Sequence, residues 1–116
     1  MLIEPMGGML DGNEPIECAR REAMEESGLR LRQLEHVGTV WTLPSVSTER
    51  LSLFLAAYTA ADRVTAGGGI EAEDENIVVI EIPLAQLREL ISSEATIDFR
   101  LFALVQALQL RRPDLF

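Results

Sequence analysis

Ala19-Arg20-Arg21-Glu22-Ala23-Met24-Glu25-Glu26-Ser27-Gly28-Leu29 concentrates three carboxylates and two guanidinium groups in a run that stops at glycine. At about 100° per residue, Glu22, Glu25 and Glu26 fall within roughly 100° of one another on one helical face. Like charges at i,i+4 disfavour an isolated helix by a few tenths of a kcal/mol, and anions near its C-terminal end also oppose the dipole. Two readings stand. The face is solvated, with Arg21 paired to Glu17 and Glu25 at i±4. Alternatively it holds a hard divalent cation such as Mg²⁺ or Mn²⁺, which takes carboxylate oxygens and keeps coordination sites for phosphate. The spacing predicts the helix itself over Pro15 to Ser27: Pro15 suits the first turn, Asn13 or Glu14 can cap it, and Gly28 supplies a left-handed stop.

Upstream, Leu2 to Met6 is a short apolar stretch closed by Gly7-Gly8, and Met9 to Asn13 runs from a strand end into a turn. Downstream, Leu34 to Thr42 and Arg50 to Tyr58 are β-rich and flank the polar loop Leu43 to Glu49. Ala60 to Asn76 is a long acidic loop that contains Gly67-Gly68-Gly69, Glu71, Glu73, Asp74 and Glu75. Loops of this length in a compact domain are usually functional or mobile. Ile77 to Ile82 has the composition of a buried strand, stopped by Pro83. Leu84, Leu87, Leu90 and Ile91, then Ile97, Leu101, Leu104, Val105 and Leu108, recur at helical spacing. A single mixed α/β domain over residues 1–116 is the economical reading.

Composition narrows the function classes. The chain has 116 residues, 47% hydrophobic and 25% charged, which suits one globular domain able to bury a core without staples. Cys18 is its only cysteine, so there is no internal disulfide framework and no zinc-type cluster; a cytoplasmic location is expected. Ten basic against nineteen acidic residues give a formal net charge of −9, a field that repels nucleic-acid backbones. No apolar run approaches the roughly 18 residues of a membrane span. A small anionic ligand remains compatible when divalent cations lie between it and the carboxylates.

Gly8, five residues, Glu14, then Arg21-Glu22-Ala23-Met24-Glu25-Glu26-Ser27-Gly28-Leu29 resembles the Nudix box, G-x5-E-x7-REUxEExGU with U apolar. It departs from the box by having six residues between Glu14 and Arg21 and a small residue at Ala23. The shortened spacing, the loop Leu43 to Glu49 and the order of glycines, acidic cluster and apolar segment up to Pro83 resemble the nucleotide-sugar branch of the Nudix hydrolases. The resemblance implies an α/β/α sandwich with a mixed sheet, lacking the usual N-terminal strands, so that self-association as a homodimer is expected. It also implies Mg²⁺-dependent cleavage, with Mn²⁺ as a substitute, of a nucleoside diphosphate sugar of the GDP-mannose or ADP-ribose type. The alternative is a non-catalytic or truncated module that binds a nucleotide or a protein partner.

By the same resemblance Glu22 and Glu26 are metal ligands, Glu25 an accessory one, and Gly7 offers its carbonyl. Arg21 belongs to the catalytic set by orienting the carboxylates. Counting back from Ile77 makes Glu75 the loop ligand and leaves Glu73 as general base, whereas counting forward from Gly69 favours Glu73 as ligand; the first assignment is preferred. Gly8, Glu49 and Asp74 would contact the substrate. The glycines before the acidic cluster suit a closing lid or simply a tight turn. Among lesser signals, Cys18 reads as packing, His36 as a strand surface residue, Trp41 as core in preference to a stacking surface for a base or sugar, and Arg111 and Arg112 as complements to the last helix's C-terminus.

Overall fold

The computed structural model describes residues 5–7, 14–43, 45–46, 49–68, 77–93 and 97–116. Its regular elements are helix α1 (Pro15–Ser27), strands β1 (Glu35–Trp41) and β2 (Arg50–Leu55), a 3₁₀ turn (Ala60–Asp62), helices α2 (Leu84–Ser92) and α3 (Phe99–Arg111), and a terminal 3₁₀ turn (Pro113–Leu115). This is the mixed α/β class that the sequence implies. Two compact units carry these elements, one formed by Met6–Leu34 with Ala56–Glu81, the other by Met1–Pro5, Glu35–Leu55 and Ile82–Phe116.

In the second unit β1 and β2 pair antiparallel, from Glu35 opposite Leu55 to Trp41 opposite Arg50, with a bulge between His36 and Gly38. One extra residue on β1 there re-aims the side chains on either side of it. Leu53 of β2 and Val105 of α3 are buried, and α3 packs on both β2 and α2. Asp98 caps α3: its carboxylate accepts the Arg100 amide at 2.8 Å and binds the Arg100 guanidinium at 2.9 Å. Those bonds hold Asp98 below the usual carboxylate range. Leu84, Leu87, Leu90 and Ile91 lie half-buried along α2, as the helical spacing requires. Arg111 of α3 pairs with Glu35, and Arg112 pairs with Asp114 in the terminal turn.

The α1 unit is built around one helix. Pro15 opens it, Glu14 at the cap position has extended backbone and no side-chain cap bond, and Gly28 ends it at φ 75°, ψ 13°. Cys18, Ala23 and Leu29 are its buried apolar residues among those described. Beyond Gly28 the chain makes an antiparallel bridge between Leu29 and Arg63. Around it, Arg30 N–H donates to Asp62 and Val64 N–H to Gly28, both at 2.8 Å.

Two expectations are corrected. Ile77 to Ile82 is not a buried strand: no ladder forms there among the described residues, and Val78 and Ile80 are exposed. Ile77 N–H donates instead to the Gly68 carbonyl at 3.4 Å. Trp41 is not core. The residue is 53% exposed at the end of β1, and the cross-strand Arg50 guanidinium lies 5.6 Å from the ring centroid, so a cation–π pair takes the place of apolar packing. His36 is a strand surface residue as expected, tilted against Phe54. The expected strand and turn over 2–13 fall largely outside the described residues.

Candidate active site

The carboxylates of Glu22, Glu25 and Glu26 on α1 do not form a solvated face. Glu22 and Glu26 each retain only 8% exposure, and the Glu25 side chain retains 21%. Carboxylates are seldom buried this far without partners, because loss of hydration costs several kcal/mol per charge. The Arg21 guanidinium bridges two of them, with Nη2 at 3.3 Å from Glu22 Oε1 and Nε at 3.8 Å from Glu25 Oε1. Glu17 pairs with Arg20 at 3.3 Å. Glu26 turns to the backbone, where its Oε2 accepts the Gly7 N–H at 3.1 Å. Gly7, Arg21, Glu22, Glu25 and Glu26 are thus assembled on one side of α1.

The main chain of Glu26 is engaged as well. Its carbonyl accepts the Gly68 N–H at 2.7 Å, and Gly67, at φ 74°, lies so close that a Cβ there would stand 2.5 Å from the same oxygen. Glycine at 67 therefore serves close backbone approach to the end of α1. The rest of the acidic loop, including Glu73, Asp74 and Glu75, lies outside the described residues, as does Gly8. Glu49 is exposed just before β2, and its carbonyl accepts the Thr42 amide at 3.3 Å.

The donor chemistry of this face, hard carboxylate oxygens, is of the kind a divalent cation takes. Hard carboxylate oxygens on α1 outnumber the guanidinium set between them, and a doubly charged cation would offset the excess. Among the described residues no group of three or more such side chains is arranged to hold a metal ion by itself.

Sequence reasoning missed one polar group beside this helix. Arg63 Nη1 donates to the Ser27 carbonyl at 2.8 Å, Arg63 Nη2 binds Glu81 Oε1 at 2.9 Å, and Tyr58 O–H donates to Glu81 Oε2 at 2.9 Å. The signal that could have found it is Thr59-Ala60-Ala61-Asp62, a capping-box pattern. That box forms, with Thr59 N–H on Asp62 Oδ2 at 2.8 Å, and delivers Arg63 to the end of α1. Burial, the hydrogen bond to Glu81 and its negative charge push the Tyr58 phenol above its ordinary value, while Arg63 pulls the other way. Tyr58 is the only tyrosine, so an ultraviolet titration reads it alone: its midpoint is expected above the usual value of about 10, and lower in Glu81→Gln than in wild type. A phenol raised by folding contributes stability below that usual value, and the contribution is lost as pH rises through the folded one.

The family model for the NUDIX domain matches residues 2–105. The chain belongs to the Nudix domain family. Curated Nudix relatives include the GDP-mannose pyrophosphatase of Cronobacter sakazakii (strain ATCC BAA-894), 42% identical over 111 residues, which are 96% of this chain and 57% of the relative. Those of Enterobacter sp. (strain 638) and Escherichia coli O1:K1 / APEC are 39% and 37% identical over 109 residues, 94% of this chain and 56% of each relative. This Nudix chain spans a little over half the length of the curated relatives it matches. No helix among its described residues is long and apolar enough to cross a membrane.

Proposed function

We propose that the chain is the catalytic Nudix part of an Mg²⁺-dependent pyrophosphatase that splits a nucleoside diphosphate sugar into a nucleoside monophosphate and a sugar phosphate. The observation that carries this reading is the burial of Glu22 and Glu26 on one face of α1, with Arg21 bridging Glu22 to Glu25 and the Gly7 amide on Glu26. Such a concentration of buried negative charge is costly for a fold and useful for holding cations against a pyrophosphate. The names of the relatives favour a GDP-sugar of the GDP-mannose type over ADP-ribose, and a reducing cytoplasm suits a chain with a single cysteine.

In this proposal Glu22, Glu26 and Glu75 hold the metal, with Glu25 and the Gly7 carbonyl as accessories. Mn²⁺ can substitute. Bound there, the metal would neutralise charge on the pyrophosphate and acidify water. Arg21 fixes the rotamers of Glu22 and Glu25, so the carboxylates need not reorganise when substrate arrives. Glu73 takes the proton from the attacking water, and Gly8, Glu49 and Asp74 contact the substrate.

The test is phosphorus NMR of the purified chain incubated with GDP-mannose, ADP-ribose and related diphosphate sugars, with and without Mg²⁺. Metal-dependent release of a nucleoside monophosphate is expected, fastest with GDP-mannose. No product from a chain with a folded circular-dichroism spectrum would overturn the reading in favour of a binding module.

A further inference from the structure

We propose that Arg63 is a positioning residue for the carboxylates of α1, an inference that rests on the function proposed above. Its guanidinium holds the last helical carbonyl, that of Ser27, at 2.8 Å with one nitrogen, and Glu81 at 2.9 Å with another. Glu81 is held from its far side by the Tyr58 hydroxyl at 2.9 Å. Arg63 itself is anchored by its bridge to Leu29 and by the capping-box turn before it. The bracket therefore ties the helical turn that bears Glu25 and Glu26 to the segment Ile77–Glu81.

Charge and shape both suit the task. The C-terminal end of a helix carries partial negative charge, to which Glu25 and Glu26 add, and a cation on the last carbonyl offsets it. A planar guanidinium fork engages a carbonyl and a carboxylate along two fixed directions, whereas the donors of an ammonium rotate about a single point charge. Removing Arg63 frees the Ser27 carbonyl and lets the end of α1 shift, so that the Glu26 side chain, one residue before Ser27, loses its fixed aim. Arg63 acts through that carbonyl and touches no reacting atom.

The test compares Arg63→Met, Arg63→Lys and Glu81→Gln with Arg32→Met. The last removes a guanidinium that pairs with Asp62 of the same turn at 3.4 Å and is itself exposed. Mn²⁺ affinity is read by electron paramagnetic resonance without substrate, and kcat and KM for GDP-mannose are read at saturating Mg²⁺, all where circular dichroism shows folded protein. Arg63→Met is expected to weaken Mn²⁺ binding and kcat by about tenfold or more with KM unchanged, the usual scale for losing a group that orients metal ligands. Arg63→Lys and Glu81→Gln should fall between it and wild type, and Arg32→Met should match wild type. Should Arg63→Met not fold, Arg63→Lys decides on the same readouts. Wild-type Mn²⁺ affinity and kcat in folded Arg63 variants, equal losses in Arg32→Met, or a wild type that holds no Mn²⁺ would each overturn the proposal. Arg63-dependent Mn²⁺ binding without any hydrolysis of nucleotide sugars would sink the proposed activity and leave the bracket standing.

Discussion

Glu26→Gln is expected to fold and to lose at least about a hundredfold in Mg²⁺-dependent hydrolysis, the scale on which one preorganised charged group supports a rate. The substitution is nearly isosteric. Its amide oxygen can still accept the Gly7 N–H that Glu26 Oε2 receives at 3.1 Å, so the local backbone has no reason to move. What disappears is a negative charge with 8% exposure. Without metal, the melting temperature should hold or rise, because a buried carboxylate costs more to dehydrate than a neutral amide of the same shape. Initial rates with GDP-mannose, paired with thermal melts by circular dichroism, measure both effects. Unchanged turnover in a folded Gln variant would remove Glu26 from the metal set.

The second large effect concerns stability. Gly28→Ala is expected to cost about 3 kcal/mol or more, combining the penalty for a left-handed residue with that for forced overlap. At φ 75° the new Cβ would lie 2.0 Å from the Thr65 carbonyl oxygen, a backbone atom that cannot swing aside like a side chain. Gly28 also carries bonds in both directions, donating to Met24 at 2.9 Å and accepting from Val64 at 2.8 Å. Relief of the clash would therefore break the turn that docks Leu29 against Arg63. Urea unfolding followed by circular dichroism reads the loss. A variant within about 1 kcal/mol of wild type, the ordinary cost of a point substitution, would show that this approach is not required.

Helix α1 is legible in the sequence because its signals are local: Pro15 at the start, Gly28 at the stop, and a charge pattern confined to one stretch. The β1–β2 hairpin and the two C-terminal helices follow for the same reason. The segment Ile77–Ile82 misleads, since its composition states only that β structure is chemically possible, whereas a strand needs a partner edge. Trp41 misleads because an aromatic on an apolar strand usually packs inward, and only the register, which sets Arg50 across from it, reveals the cation–π pair. Of the candidate site, the carboxylates of α1 and Arg21 are legible from the box. The burial that separates a cation site from a solvated face is not, because it depends on segments far along the chain. Arg63 and Glu81 belong to no motif; their roles arise from a capping turn that aims one side chain at a distant carbonyl.

Glu26 has a consequence for the order of assembly. Its side chain receives Gly7, from ahead of the helix, and its main chain receives Gly68, from beyond the hairpin. Neither glycine can reach it until the chain between has closed, an entropic cost that local helix bonds do not carry. Helical order around Glu22, Glu25 and Glu26 alone would therefore leave the site without its walls. Competence to bind would then mark completion of the unit's topology rather than formation of the helix.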